Sequence, residues 1–196
     1  MKKYFFQTVV LLSCLVFNYA AFAQILPAGI ALKVVIIRHG EKPNDGNNLN
    51  CMGLSRALKL PPVLDTVTGR PDYTYVPTIN TGKKTSSVRM FQTVTPFAVQ
   101  DSLTINTNFK EDSTTSAAAD VLKKRGVVLM VWEHSNIPPL AKALVGKKHA
   151  NLIQPWLGTD FGSIWIIEFS LSKKNNLKFE SYTIEQENIT PSPVCN

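Results

Sequence analysis

Leu32-Lys33-Val34-Val35-Ile36-Ile37, followed at once by Arg38-His39-Gly40-Glu41, is the stretch from which the rest of the chain can be read. Five of its first six residues are apolar, and most of those are β-branched. A short continuous run of this kind reads as a strand buried on both faces, as in a parallel sheet. It stops abruptly at a guanidinium, an imidazole and a glycine. A second such run, Val127-Val128-Leu129-Met130-Val131-Trp132, ends in Glu133-His134. In open parallel sheets ligands collect at the carboxyl ends of the strands. Two buried strands that each deliver a histidine to that edge therefore mark a candidate site.

Working outward, Leu54, Ala57, Leu58 and Leu60 predict a helix from about Gly53 that Pro61-Pro62 stops. Tyr73 to Ile79 reads as a second strand. Val88, Phe91 and Val94 have helical spacing from about Thr85, with Pro96 disturbing the end. Ser102 to Asn106 alternates like a short strand, and Ser113 to Lys124 is helical. A helix from about Pro138 to Leu144 follows the second buried run. Ser163 to Phe169 and Leu177 to Ile184 read as later strands, and Asn188 to Asn196 as a tail. Alternating strands and helices predict an α/β fold: a three-layer sandwich, a mostly parallel sheet with helices on both faces.

Composition narrows the function classes. The chain has 196 residues, 44% hydrophobic and 18% charged, a globular mix with room for one domain. The basic start Lys2-Lys3, the apolar run Phe5 to Phe17 and the small residues of Ala21-Phe22-Ala23 resemble a cleaved secretory signal. The expected division is therefore a signal peptide over 1–23 and one domain over 24–196, exported to a periplasm or secreted. The run is too short for a permanent span, so no stable membrane insertion is expected after cleavage. The formal charge of +7 includes Lys2 and Lys3, leaving +5 over residues 24–196. No dense Lys/Arg tract interleaved with aromatics accompanies it, so no nucleic-acid partner is expected. A positive field would still attract small anionic substrates. Beyond residue 23 two cysteines remain, Cys51 and Cys195. They either pair, pinning the tail to the first third of the fold, or stay as two thiols. Nothing in the sequence specifies an oligomeric state.

The chemistry-bearing residues are Arg38, His39, Arg89 and His134. Each alone has a plainer role as a loop residue or a helix-surface charge. Together, in this order and on these elements, they make a site for a dianion. Arginine offers planar, bidentate donors that match phosphoryl oxygens. An imidazole can attack phosphorus and carry the group covalently, dividing one hard displacement into two easier ones.

Val34 through Glu41, with its Arg-His-Gly turn, resembles the signature of the histidine phosphatase (phosphoglycerate mutase-like) superfamily. Leu49 to Ala57 resembles its first helix, Ser87-Val88-Arg89 with Gln92-Thr93 its second-arginine segment, and Val128 to Leu144 its second-histidine segment. The likeness runs from about Lys33 to Gly146. It implies that His39 is the nucleophile and that Arg38, Arg89 and His134 bind the phosphoryl oxygens. It implies no metal and no cofactor, since cationic side chains supply the charge. Asn136 either adds a hydrogen bond to the phosphate or fixes His134. The leaving alkoxide needs an acid. By position the family's acid falls near Glu111, with Asp112 beside it, although the local match is poor. Glu133 stands where a glycine is common and is the other candidate, as acid or as orienter of His134. Taken with the secretory signal, the resemblance implies an exported phosphomonoesterase acting on small phosphate esters through phosphohistidine. The alternatives are a phosphate-binding module that has lost its acid, or a phosphomutase.

Overall fold

The computed structural model describes residues 26–81 and 85–195. The signal-peptide expectation falls on residues outside them. In chain order the elements are β1 (Ile30–Arg38), α1 (Cys51–Thr68), β2 (Tyr73–Tyr75), β3 (Asn80–Thr81), β4 (Thr85–Ser86), α2 (Val88–Gln100) and β5 (Ile105–Asn106). Then come α3 (Thr114–Val121), β6 (Gly126–Trp132), α4 (Ile137–Val145), a 3₁₀ turn (Ala150–Leu152), β7 (Ser163–Leu171) and β8 (Leu177–Gln186). Six strands form one sheet in the order β5-β2-β6-β1-β7-β8, and β3-β4 is a small separate ribbon. The pairs β1/β6, β2/β6 and β2/β5 are parallel, while β1/β7 and β7/β8 are antiparallel.

The three layers follow from side-chain alternation along the central strands. Leu32, Val34 and Ile36 of β1 pack with Val128 and Met130 against α3 and α4. Val35 and Ile37 pack with Leu129 and Val131 against α1 and α2. Because both faces of β1 and β6 are covered, the sequence shows continuous apolar runs there rather than alternation.

Two expectations need correction. Helix α1 does not stop at Pro61-Pro62 but continues to Thr68, ending at Gly69 with φ +54° and its N–H on the Asp65 carbonyl. A proline inside a helix costs about 3 kcal/mol. Burial of Leu60 and Leu64 against the sheet offsets a loss of that size at about 1.5–3 kcal/mol per side chain. The second strand ends at Tyr75 rather than Ile79. Pro77 has no N–H to donate to a ladder. The backbone still runs beside the β5 segment, with Val76 N–H on Asn106 O and Thr78 N–H on Phe109 O.

The C-terminal segment is tied down. Cys51 and Cys195 form a disulfide with Cα atoms 4.9 Å apart, closing a sequence separation of 144. Lys59 Nζ donates to Thr190 O and Ser192 N–H to Ser55 Oγ, both at 2.8 Å. No helix among the described residues is long and apolar enough to cross a membrane.

Candidate active site

Strands β1 and β6 run parallel in unbroken register from Leu32↔Gly126 to Arg38↔Trp132. They end level, so His39 and the Glu133-His134 pair leave the sheet side by side. His39 N–H donates to Trp132 O at 3.1 Å, fixing the turn to the neighbouring strand. His39, Glu133 and His134 each place a ligand-type atom within 4.8 Å of the others.

The turn after His39 is held against two helices. Gly40 N–H donates to Thr93 Oγ1 of α2 at 2.9 Å, and the Thr93 hydroxyl donates onward to Arg89 O at 2.8 Å. This places the first turn of α2, with Arg89, beside His39. On the other side a Cβ on Gly53 would meet Glu41 O at 2.2 Å, and one on Gly40 would meet Gly53 Cα at 2.8 Å. Both positions need glycine for this close approach. Asn50 caps α1 there, its Oδ1 accepting Gly53 N–H at 2.9 Å.

His39 is 1% exposed. Its Nδ1 lies 2.7 Å from Gly40 O. A carbonyl can only accept, so Nδ1 carries the proton and Nε2 keeps its lone pair. Burial first, then the charges of Arg89 and Arg38, pushes the imidazole down to about 4, so it is neutral at physiological pH.

Arg38 is 2% exposed and gripped from the β7 side. Nη1 donates to Gly158 O and Asp160 O, each at 2.8 Å, and the guanidinium stacks on Phe161 at 3.7 Å from the ring centroid. Burial lowers its pKa to about 10, against the pull of Glu133, Asp160 and Glu41. The Nε groups of Arg38 and Arg89 are buried and, among the described residues, have no hydrogen-bond partner. Unpaired buried cationic donors beside an unprotonated imidazole nitrogen suit a bound oxyanion. His39, Glu133 and His134 have the ligand types of a metal site, but two arginine charges bear on them and favour an anion over a cation.

Glu133 is fully engaged. One oxygen contacts His134 Nδ1. The other accepts the Ser135 hydroxyl, the Ser135 N–H at 2.9 Å and Asn136 Nδ2 at 3.4 Å. Burial opposes its ionisation, but the Ser135 bonds and His134 outweigh it and hold the carboxyl below its ordinary range. Asn136 thus acts on Glu133, which in turn meets His134. Glu111 sits apart from this cluster, on the wall of a cleft of about 460 Å³ lined also by Thr78, Asn80, Ser87, Lys110 and Asp112. Ser87 Oγ, two residues before Arg89, donates to its Oε2 at 2.8 Å, and the Trp132 indole donates to its carbonyl at 2.8 Å.

The structure therefore brings Arg38, His39, Arg89, His134, Glu133 and Asn136 together and places Glu111 and Asp112 in a cleft lined by other residues. Sequence reading passed over the Gly158–Gly162 turn that holds Arg38. Asp160 accepts Gly162 N–H, Ser163 N–H and the Ser163 hydroxyl. Asp-Phe-Gly-Ser before a strand is a turn signal that could have found it. It also passed over a buried ion network in which Arg56 bonds Glu41 and Glu187, each at 2.7 Å.

No protein-family model matches the sequence, and no curated protein sequence is similar to it. Solved structures do match. One titled mycobacterial hydrolase 2 aligns with a TM-score of 0.55 at 14% identity, over 83% of this chain and 93% of its own. The mycobacterial glucosyl-3-phosphoglycerate phosphatase in complex with inorganic phosphate aligns at 0.53 and 13%, over 81% and 99%. The protein histidine phosphatase SixA complexed with tungstate aligns at 0.51 and 16%, over 76% and 95%. With its level parallel strands and three layers, the chain shares its α/β fold with these solved structures, the protein histidine phosphatase SixA among them.

Proposed function

We propose that this protein is a phosphomonoesterase that hydrolyses small phosphate esters through a phosphohistidine on His39 Nε2. The observation that carries the reading is the His39 tautomer. Nδ1–H is spent on Gly40 O, which leaves the lone pair on Nε2 of a ring that feels the charges of Arg89 and Arg38 and lies close to His134. In the first step Nε2 attacks phosphorus, an N–P bond forms, and the ester P–O bond breaks. Arg38, Arg89 and His134 meet the charge on the phosphoryl oxygens, and the Nδ1–H bond to Gly40 O steadies the positive charge acquired by the ring. The departing oxygen takes a proton from Glu111, which Ser87 ties to the start of α2 two residues before Arg89 and the Trp132 indole ties to the end of β6. Water then gives a proton back to Glu111 and attacks phosphorus. The N–P bond breaks, releasing inorganic phosphate and neutral His39.

Glu133 orients His134 in this scheme. Its lowered pKa and occupied oxygens favour a permanent carboxylate over a proton donor. Two of these structural neighbours are phosphatases, which supports the activity class. The Phe5–Phe17 run with Ala21-Phe22-Ala23 supports export, and the Cys51–Cys195 bridge suits an oxidising compartment.

The test is turnover of an aryl phosphate with trapping of the intermediate. Wild-type protein should form an acid-labile, base-stable phosphoenzyme, and His39→Ala should form none and turn over nothing. Substantial residual turnover in a folded His39→Ala would sink the nucleophile assignment.

A further inference from the structure

We propose that Glu187 is a positioning residue for this site: its side chain sets the His39 turn through Arg56 and Glu41, and its main chain steadies the turn that holds Arg38. The inference rests on the phosphatase reading above. Glu187 lies just past β8 and is 4% exposed, with a wholly buried side chain. Two arms leave it. Along the first, Oε2 accepts Arg56 Nη1 at 2.7 Å. Arg56 also grips Glu41, with Nη2 2.7 Å from Oε1 and Nε at 3.2 and 3.1 Å from Oε1 and Oε2. Glu41 stands two residues after His39. Along the second arm, Glu187 N–H donates to Gly162 O at 2.8 Å. Gly162 closes the turn whose Gly158 and Asp160 carbonyls hold Arg38 Nη1. One residue thus supports both sides of His39, Arg38 before it and Glu41 after it.

The arrangement is not what stability by itself favours. A buried ion network is weak evidence for stability, since the desolvation penalty offsets much of the attraction. Here Glu187 Oε1 has no hydrogen-bond partner among the described residues. Burial pushes this carboxyl up to about 7, against the pull of Arg56 and with added repulsion from Glu41 and Asp160. A carboxylate held at such a disadvantage, bonded to the support of a candidate nucleophile, fits a role in holding geometry.

The two arms give a selective expectation. Glu187→Gln weakens only the first, since the amide keeps an acceptor oxygen for Arg56 but loses the charge, so Arg38 keeps its grip while His39 loosens. Glu187→Gln should lower kcat for an aryl phosphate by roughly tenfold to a hundredfold, the size expected for a misplaced reacting group. KM and inhibition by inorganic phosphate should change little. Glu187→Asp, which keeps the charge with a shorter reach, should recover part of the loss. The His39 ring Nδ1–H resonance should shift in Glu187→Gln relative to wild type, a readout independent of turnover. A folded Glu187→Gln with wild-type kcat and an unmoved His39 resonance would overturn the proposal. So would equal losses in kcat and phosphate binding, which would mark general damage. If wild-type protein turns over no phosphate ester, the phosphatase reading fails, and the resonance still decides whether Glu187 positions His39.

Discussion

His39 gives the most direct test at the level of single residues. Its pKa in the folded protein is about 4, against 6.5 unperturbed. Between those values the unfolded chain binds a proton that the folded protein does not. The stabilising contribution is therefore present above about 6.5 and lost as the pH falls toward 4. A ring titration followed by NMR should find a midpoint near 4, and a midpoint near 6.5 would show an exposed, protonatable ring. The two glutamates separate by leaving-group dependence. Glu111→Gln should slow alkyl phosphates by about 10²–10⁴-fold and aryl phosphates far less, because a good leaving group departs as a stable anion. Glu133→Gln should slow both alike, by releasing His134. The opposite pattern would exchange the two roles.

Among the elements, α1 is the one that backs the His39 turn, through Gly53, Arg56 and the half-cystine Cys51. Gly53→Ala should force the helix away from Glu41 and destabilise by about 1–3 kcal/mol, as overpacking does. Activity should fall together with the melting temperature. The bridge closes a long loop, and the chain-entropy model gives about 5 kcal/mol for it as an upper figure. The Cys51→Ser, Cys195→Ser double variant should therefore unfold at clearly lower denaturant concentration, and an unchanged midpoint would show that the hydrogen bonds of Lys59 and Ser55 already hold the tail.

Across the whole molecule, the sheet divides the interior into two apolar layers that share the strands but not the helices. Leu140 of α4 and Leu64 of α1 are both fully buried, on opposite faces. Each Leu→Ala change should cost about 2–5 kcal/mol. Because the two residues share no partners, the double variant should lose the sum within about 0.5 kcal/mol. A large deviation in denaturant titrations would mean that the layers communicate through the strands.

The sequence by itself determined the α/β class, the two central strands and the residues at their ends. Those features are local: β-branched runs register burial on both faces, and an abrupt Arg-His-Gly or Glu-His marks where each run stops. It did not determine that α1 passes through Pro61-Pro62, because burial across the sheet outweighs a local preference. Nor did it decide between Glu111 and Glu133. What distinguishes them is their surroundings, Ser135, Asn136 and His134 around one and a cleft around the other. Glu187, which falls between the strand read to Ile184 and the tail read from Asn188, joins the network under the His39 turn only through contacts spanning 131 residues to Arg56. Hydrogen-bond partners distant in sequence leave no periodicity, and only the folded chain brings them within reach of each other.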